Sequence, residues 1–176
     1  MARLKRVNYS TGQLLNAEDL RAEQEYHREK YRRHNLLFHG SGIVVGLKVS
    51  TATDSRGSIV TVAPGHAVDA VGNDIDLCEA VNLRLPKSAA ALVVELRYAE
   101  SLTDPVPVLS EGEGEQAQPS RIEEGGEVVL VTQTDSASSK ASRTNLRPNP
   151  NVVLARLIQT RRGWQVDRRH KVPRTR

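Results

Sequence analysis

The stretch NAEDLRAEQEYHREKYRRHNLLFHGSG, from Asn16 to Gly42, decides how the rest of the chain is read. It alone is long and regular enough for a substantial helix, whereas the residues beyond Gly42 read as short strands and loops. Asn16 is a fitting N-cap, and Asp19, three residues on, can return a hydrogen bond in a capping box. Glu18 and Asp19 put negative charge at the positive end of the helix dipole, while Arg32, Arg33, His34 and His39 lie towards its negative end. Glu29 stands four residues before Arg33, the favourable order for an intrahelical ion pair. Gly40 and Gly42 stop the helix. At a rise of about 1.5 Å per residue the rod spans roughly 33 Å, too long for one small sheet to cover. A long helical projection is expected.

The best seam on this helix takes Ala17, Leu20, Gln24, His27, Tyr31, His34 and Phe38, which follow the alternating spacing of three and four that suits helix–helix packing. Its middle is polar rather than leucine-rich. Such a seam fits a helix that packs on other subunits or is half covered; a solvated helix with no seam is the alternative.

Working outward, residues 1–15 hold Val7, Tyr9, Leu14 and Leu15 around a Ser10-Thr11-Gly12 turn, an extended lead-in to the helix. On the other side comes GIVVGLKVS, a strand interrupted by Gly46, then a Thr53–Gly57 turn and SIVTVAPG. HAVDAVGNDIDL reads as two short strands joined at Gly72-Asn73, and VNLRLP as a further strand ended by Pro86. ALVVELRYAE, residues 91–100, has a continuous apolar start that predicts a central strand, and EVVLVTQT at 127–134 is another strand. Three prolines and an acidic, Gly-rich segment predict a long exposed loop from Leu102 to Ser120. DSASSKASRTNLRPNPN, residues 135–151, predicts mobility. NVVLARLIQT, a turn at Arg162-Gly163 and WQVD form a last hairpin.

The fold class expected is α+β, mainly β: a long N-terminal helix followed by a β-sandwich or barrel-like domain with long mobile loops. The expected units are a docking or oligomerisation segment over 1–41, a β domain over 42–168 and a basic tail over 169–176.

The 176 residues include one each of Phe, Trp, Met and Cys, so any core is built from Val, Leu, Ile and Ala and suffices for one modest β domain. The single Cys78 excludes an intrachain disulfide framework and a cysteine-based metal finger. No secretory h-region and no membrane-spanning apolar run is visible, so a protein made in the cytoplasm, without membrane insertion, is expected. Basic residues gather at Arg3, Lys5 and Arg6, in the helix, and in the tail from Arg161 to Arg176. Acidic ones concentrate at Glu111, Glu113 and Glu115.

Four chemistries are open to these residues. Glu23, His27 and His34 share a helical face and His39 comes next, a histidine set that an oligomer axis can gather; no HExxH arrangement or carboxylate cluster accompanies them, so packing and hydrogen-bonding roles are expected. Asp69, Asn73, Asp74 and Asp76 crowd one hairpin like calcium ligands, but their order is not that of an EF-hand loop and they are ordinary turn residues. Ser10, Ser41 and Cys78 lack a nucleophile elbow or basic partner, and no phosphate-binding glycine motif is present, so no enzyme activity, cofactor or small-molecule substrate is expected. Nucleic-acid binding through Arg161, Arg162, Arg168, Arg169, Lys171, Arg174 and Arg176 is the rival reading, although the stacking aromatics of single-strand binders are missing.

The run YSTGQLLNAEDLRAEQEYHREKYRRHNLLFHGSGIVVGL, from Tyr9 to Leu47, resembles a family of structural proteins of contractile injection systems and phage tails. The likeness lies in the tyrosine, the GQLL turn, the acidic helix start, and the EQEYH and RRHNLLFHGSGIVVGL signatures. It continues in VTVAPGHAVDAVGNDIDL and, further along, in LRYAE, DPVPV, SRIEEG and LARL. The resemblance implies a non-enzymatic adaptor at the baseplate or tail-fibre end of a phage-tail-like particle, whose N-terminal part docks onto other baseplate or tail proteins. It carries over as candidate assembly contacts Tyr9, Gly12, Gln13, Leu14, Asp19, Glu23, Gln24, Tyr26, His27, Arg33, His34 and Asn35. The seam spacing adds Leu20, Tyr31 and Phe38. A homo-oligomer, with a trimer suiting seam and fibre attachment, is expected.

Overall fold

A computed structural model describes residues 3–109, 115–132 and 150–175. The helix α1 (Ala17–His34) precedes a body of three antiparallel sheets. β1 (Gly42–Gly46), β4 (Gly65–Val68) and β5 (Asp74–Leu77) form the first, with β4 in the middle. β2 (Val49–Asp54), β3 (Gly57–Val62) and β6 (Val81–Arg84) form the second, around β3. β7 (Ala91–Leu109), β8 (Glu115–Thr132), β9 (Val152–Thr160) and β10 (Gly163–Val166) form the third, in the order β10-β9-β7-β8. The apolar alternation of the strands turns one face of every sheet to a common core. Ile43, Leu47, Val60, Val62, Ala67, Ile75, Leu92, Val94, Leu96, Leu157 and Trp164 meet there as one cluster. Fully burying one such side chain is worth about 1.5–3 kcal/mol, so this cluster holds the body together.

The expected architecture needs correction on two points. The body is built of several separate sheets, a half-barrel among them, in place of the expected single sandwich or barrel-like unit. Nor is there a long helical projection. α1 has 18 residues and ends in a π-turn over Asn35–His39, with Gly40 in a positive-φ conformation (75°). The N–H of Gly40 reaches back to the Asn35 carbonyl over 2.9 Å. The wide turn forms where Asn35 sends its side chain to the β body instead of along the helix, so the periodic pattern outlasts the helix itself.

The predicted loop from Leu102 to Ser120 is also overturned. β7 and β8 pair continuously from Leu92↔Thr132 to Leu109↔Glu115, whereas β9 covers β7 only from Ala91 to Leu96. Beyond the sheet the pair continues as a two-stranded ribbon. Pro105 lies opposite Pro119, and Pro107 has the same alternation as Pro105, so these nitrogens stand at the outward positions where the ladder needs no donor. Prolines that read as loop signals are therefore edge residues. Glu111, Glu113 and most of the stretch 135–151 lie outside the described residues.

The end of the described chain packs back onto the start of the body. Ile43 N donates to Pro173 O at 3.0 Å and Thr175 N donates to Ile43 O at 3.2 Å, which sets Arg174 beside Ile43 in a parallel bridge on the outer edge of β1. Val172 packs against the core.

Candidate docking surface

The capping box predicted for α1 forms: Asp19 N donates to Asn16 Oδ1 at 2.9 Å, and Asn16 N donates to Asp19 Oδ2 at 3.2 Å. Upstream, Gln13 closes the lead-in turn, donating from its backbone N–H to Ser10 O and accepting from Ser10 N through its side chain, both at 3.2 Å. Gly12 supplies the positive φ. These contacts fix where the helix begins.

What holds α1 to the body is polar. Arg32 Nε donates to Asn73 Oδ1 at 2.7 Å, and Asn35 Nδ2 donates to the Gly72 carbonyl at 3.0 Å. Arg28 Nη2 lies 2.6 Å from Glu100 Oε1, which also accepts from the Tyr98 hydroxyl at 2.8 Å. Burial first, and then this hydrogen bond and the charges of Glu124 and Glu100, push the Tyr98 phenol well above the usual tyrosine range. No residue of α1 is buried.

The β4–β5 hairpin is built to receive the helix. The nearly buried carboxylate of Asp69 accepts from Val71 N and Asn73 N at 2.9 Å each and from Asn73 Nδ2 at 2.7 Å. Its oxygens are thereby used within the turn, and Asn73 is aimed at Arg32. Gly72 sits at φ 93° with its Cα facing the helix backbone; a Cβ there would lie 2.8 Å from Arg32 Cα. Asp74 pairs with His66, and Asp76 lies 3.8 Å from the same imidazole and accepts from Cys78 Sγ at 3.4 Å. The acidic residues that resemble calcium ligands are thus engaged as turn anchors and as partners of His66 and Cys78.

Between α1, this hairpin and the base of the β7–β8 ribbon runs an open groove of about 1130 Å³. Of the predicted contact residues, Glu23, Gln24, His27, Tyr31, His34 and Asn35 line it. Glu23 Oε1 pairs with His27 Nε2 at 3.1 Å, while Glu23 Oε2 is buried without a hydrogen-bond partner among the described residues. Tyr26, Arg33 and Phe38 do not line the groove: Tyr26 packs edge-on to His27 and under Lys30, Arg33 pairs with Glu29, and Phe38 stacks on His34. Tyr9, Gly12, Gln13, Leu14, Asp19 and Leu20 lie outside it as well. Sequence reading missed Arg28, Arg32, Gly72, Asn73, Tyr98 and Ile122. The four-residue spacing of Arg28 and Arg32 was the available signal for a basic ridge facing the body.

The lead-in, α1 and the π-turn leave apolar side chains uncovered. Leu14 is 90% exposed, Leu20 56%, Tyr31 70% and Phe38 68%. Solved structures similar to the chain include a chain of the baseplate complex from the type VI secretion system, with 13% identity and a TM-score of 0.54 over 98% of this chain and 42% of that one. A chain of the TssK-TssF-TssG baseplate subcomplex of that system gives 14%, 0.53, 97% and 62%, and the crystal structure of TssK gives 12%, 0.51, 94% and 41%. It shares a fold with type VI secretion baseplate proteins. The chain spans less than two thirds of the length of each of these baseplate chains. No family model matches the chain, and comparison with curated proteins yields no match. Within this baseplate fold, no helix among the described residues is long and apolar enough to cross a membrane.

Proposed function

We propose that the protein is a non-enzymatic adaptor of a contractile, phage-tail-like injection particle. Made in the cytoplasm, it joins the baseplate or the tail-fibre attachment by docking α1 and the lead-in onto other particle proteins, and it works as a homo-oligomer, with a trimer as the preferred state. The observation that carries this reading is the helix itself: it is tethered to its own body through polar groups while Leu20, Tyr31 and Phe38 face solvent. These tethers use the polar side of the helix and leave its apolar side chains open to solvent, so that exposed apolar surface is the claim on a partner. The unpartnered Glu23 Oε2 in the groove wall adds a site for a donor from that partner. The shared baseplate fold supports the particle context.

The test is the composition of purified particles. Full-length protein, and the variant L20D/Y31D/F38D, are expressed in cells that make the particle, and sheath-containing particles are isolated by sedimentation. The native chain is expected to travel with them and the variant to stay behind with an unchanged melting temperature. A native chain absent from particles, or a variant retained as well as the native chain, overturns the reading.

A further inference from the structure

Three tight connections meet at the end of the body where β7 begins. The β2–β3 turn brings Arg56, the β6–β7 connection Lys87, and the β9–β10 turn Arg161 and Arg162. Their convergence is fixed by bonds between elements: Leu85 N donates to Ser58 O at 2.9 Å, Gln159 N to Ala90 O at 3.1 Å, and Thr51 Oγ1 to Trp164 O at 3.0 Å. A cavity of about 320 Å³ opens between them, with Arg56, Lys87, Gln159 and Trp164 in its lining. Asp54 is the sole carboxylate in residues 54–57, 84–90 and 160–163, and Arg84 uses it at 2.8 Å. The side chains of Arg56, Lys87, Arg161 and Arg162 are exposed, and none forms an ion pair with another described residue. Uncompensated cations mounted on short turns make a preorganised surface for an anion.

The same strand that starts at this basic end leads to the complementary charge. β7 runs from Ala91 to Leu109, and the next residues, SEGEGEQ at 110–116, carry Glu111, Glu113 and Glu115 with no basic residue. At about 3.3 Å per residue, the 19-residue strand β7 puts Leu109 roughly 60 Å from the basic end, and the short stretch of chain between Leu109 and Glu115 is at most about 20 Å long, too short to reach back. One molecule cannot bring them together.

We propose that the basic end receives the acidic segment 110–116 of a second copy. The contact is head-to-tail and heterologous: repeated around a closing rotation it makes a ring, and without closure a filament. It uses no residue of α1 and does not rest on the docking role proposed above. Arg56 and Lys87 line the recess between the turns, and Arg161 and Arg162 stand on the adjoining β9–β10 turn, a compact cationic patch that suits a short acidic segment.

Two full-length variants test the contact, K87Q/R161Q/R162Q at the basic end and E111Q/E113Q/E115Q in the acidic segment. Light scattering over a concentration series at low salt is expected to show the native chain growing in mass and each variant lacking that growth. An equimolar mixture regains the contact, since the acidic segment of the first variant meets the basic end of the second, and each chain then takes part in one such contact instead of two. The synthetic peptide SEGEGEQ is expected to bind the native chain and the acidic-segment variant alike, about tenfold weaker to the basic-end variant, and more weakly as salt rises. Mass unaffected by either variant, or peptide binding equal in all three proteins, overturns the proposal. So does a basic end that ignores the peptide and retains a short single-stranded oligonucleotide. Circular dichroism that matches the native chain keeps a loss of association from being read as misfolding.

Discussion

Arg32 Nε and Asn73 Oδ1 stand 2.7 Å apart, and this bond, with that from Asn35 to the Gly72 carbonyl, registers the helix on the β4–β5 hairpin. Asn73 is itself oriented by the buried carboxylate of Asp69, so removing either changes both the turn and the helix position. Asn73→Ala is expected to lower stability by about 1.5–3 kcal/mol, the range for a hydrogen bond to a charged group, and to raise amide exchange across α1 more than across β7. Denaturant unfolding and hydrogen exchange check both parts. Equal exchange in the two elements would mean that the helix is held by something else.

Gly72→Ala separates backbone strain from steric contact when compared with Gly12→Ala. Both glycines have positive φ, but a Cβ at Gly12 meets nothing within 4 Å whereas one at Gly72 meets the Arg32 backbone. Gly12→Ala is expected to cost about 1–2 kcal/mol from conformation alone. Gly72→Ala should cost more and also free α1 from the body, seen as loss of the exchange protection of Arg32 and Asn35.

Leu157→Ala should cost about 2–5 kcal/mol, because its side chain is fully buried at the meeting of the sheets. Leu20→Ala and Phe38→Ala should stay within about 0.5 kcal/mol in the isolated protein, as exposed substitutions do. Thermal melts of the three variants give the comparison. A large loss at Phe38 would show that its stacking on His34 supports the body.

Tyr98 predicts an alkaline response. A phenol whose pKa is raised in the folded state contributes stability that is whole below the unfolded value of about 10 and is lost as pH rises through the folded value. Phenolate absorbance tracked against pH is expected to show one tyrosine ionising late, and Tyr98→Phe should remove that step alone. Arg28→Gln should raise it further, since Arg28 opposes the shift.

The strands were legible because β-branched runs such as GIVVG and ALVVEL pack only one way on a pleated face, and the capping box because Asn16 and Asp19 act within one turn. What was not legible depended on distant partners. Nothing local to Ala91 says that it pairs with Ile158, and such pairings decide whether strands form one sandwich or several separate sheets. Pro105 and Pro107 were misread because a proline signals a loop unless its nitrogen is known to face outward. At the candidate site, the exposed seam of Leu20, Tyr31 and Phe38 was visible as spacing. The polar underside of the helix was not, because Arg28 and Arg32 read as solvated charges until Glu100 and Asn73 are placed beneath them.

The bridge between Ile43 and Arg174 sets a clock on biogenesis. β1 comes directly after the helix and is synthesised early, yet the segment that covers its outer edge leaves the ribosome only after β10. Until then β1 offers bare backbone donors and acceptors beside exposed Val44 and Val45, an edge open to wrong pairing. Closure by residues 173–175 therefore occupies this one edge only after every strand of the body has been made.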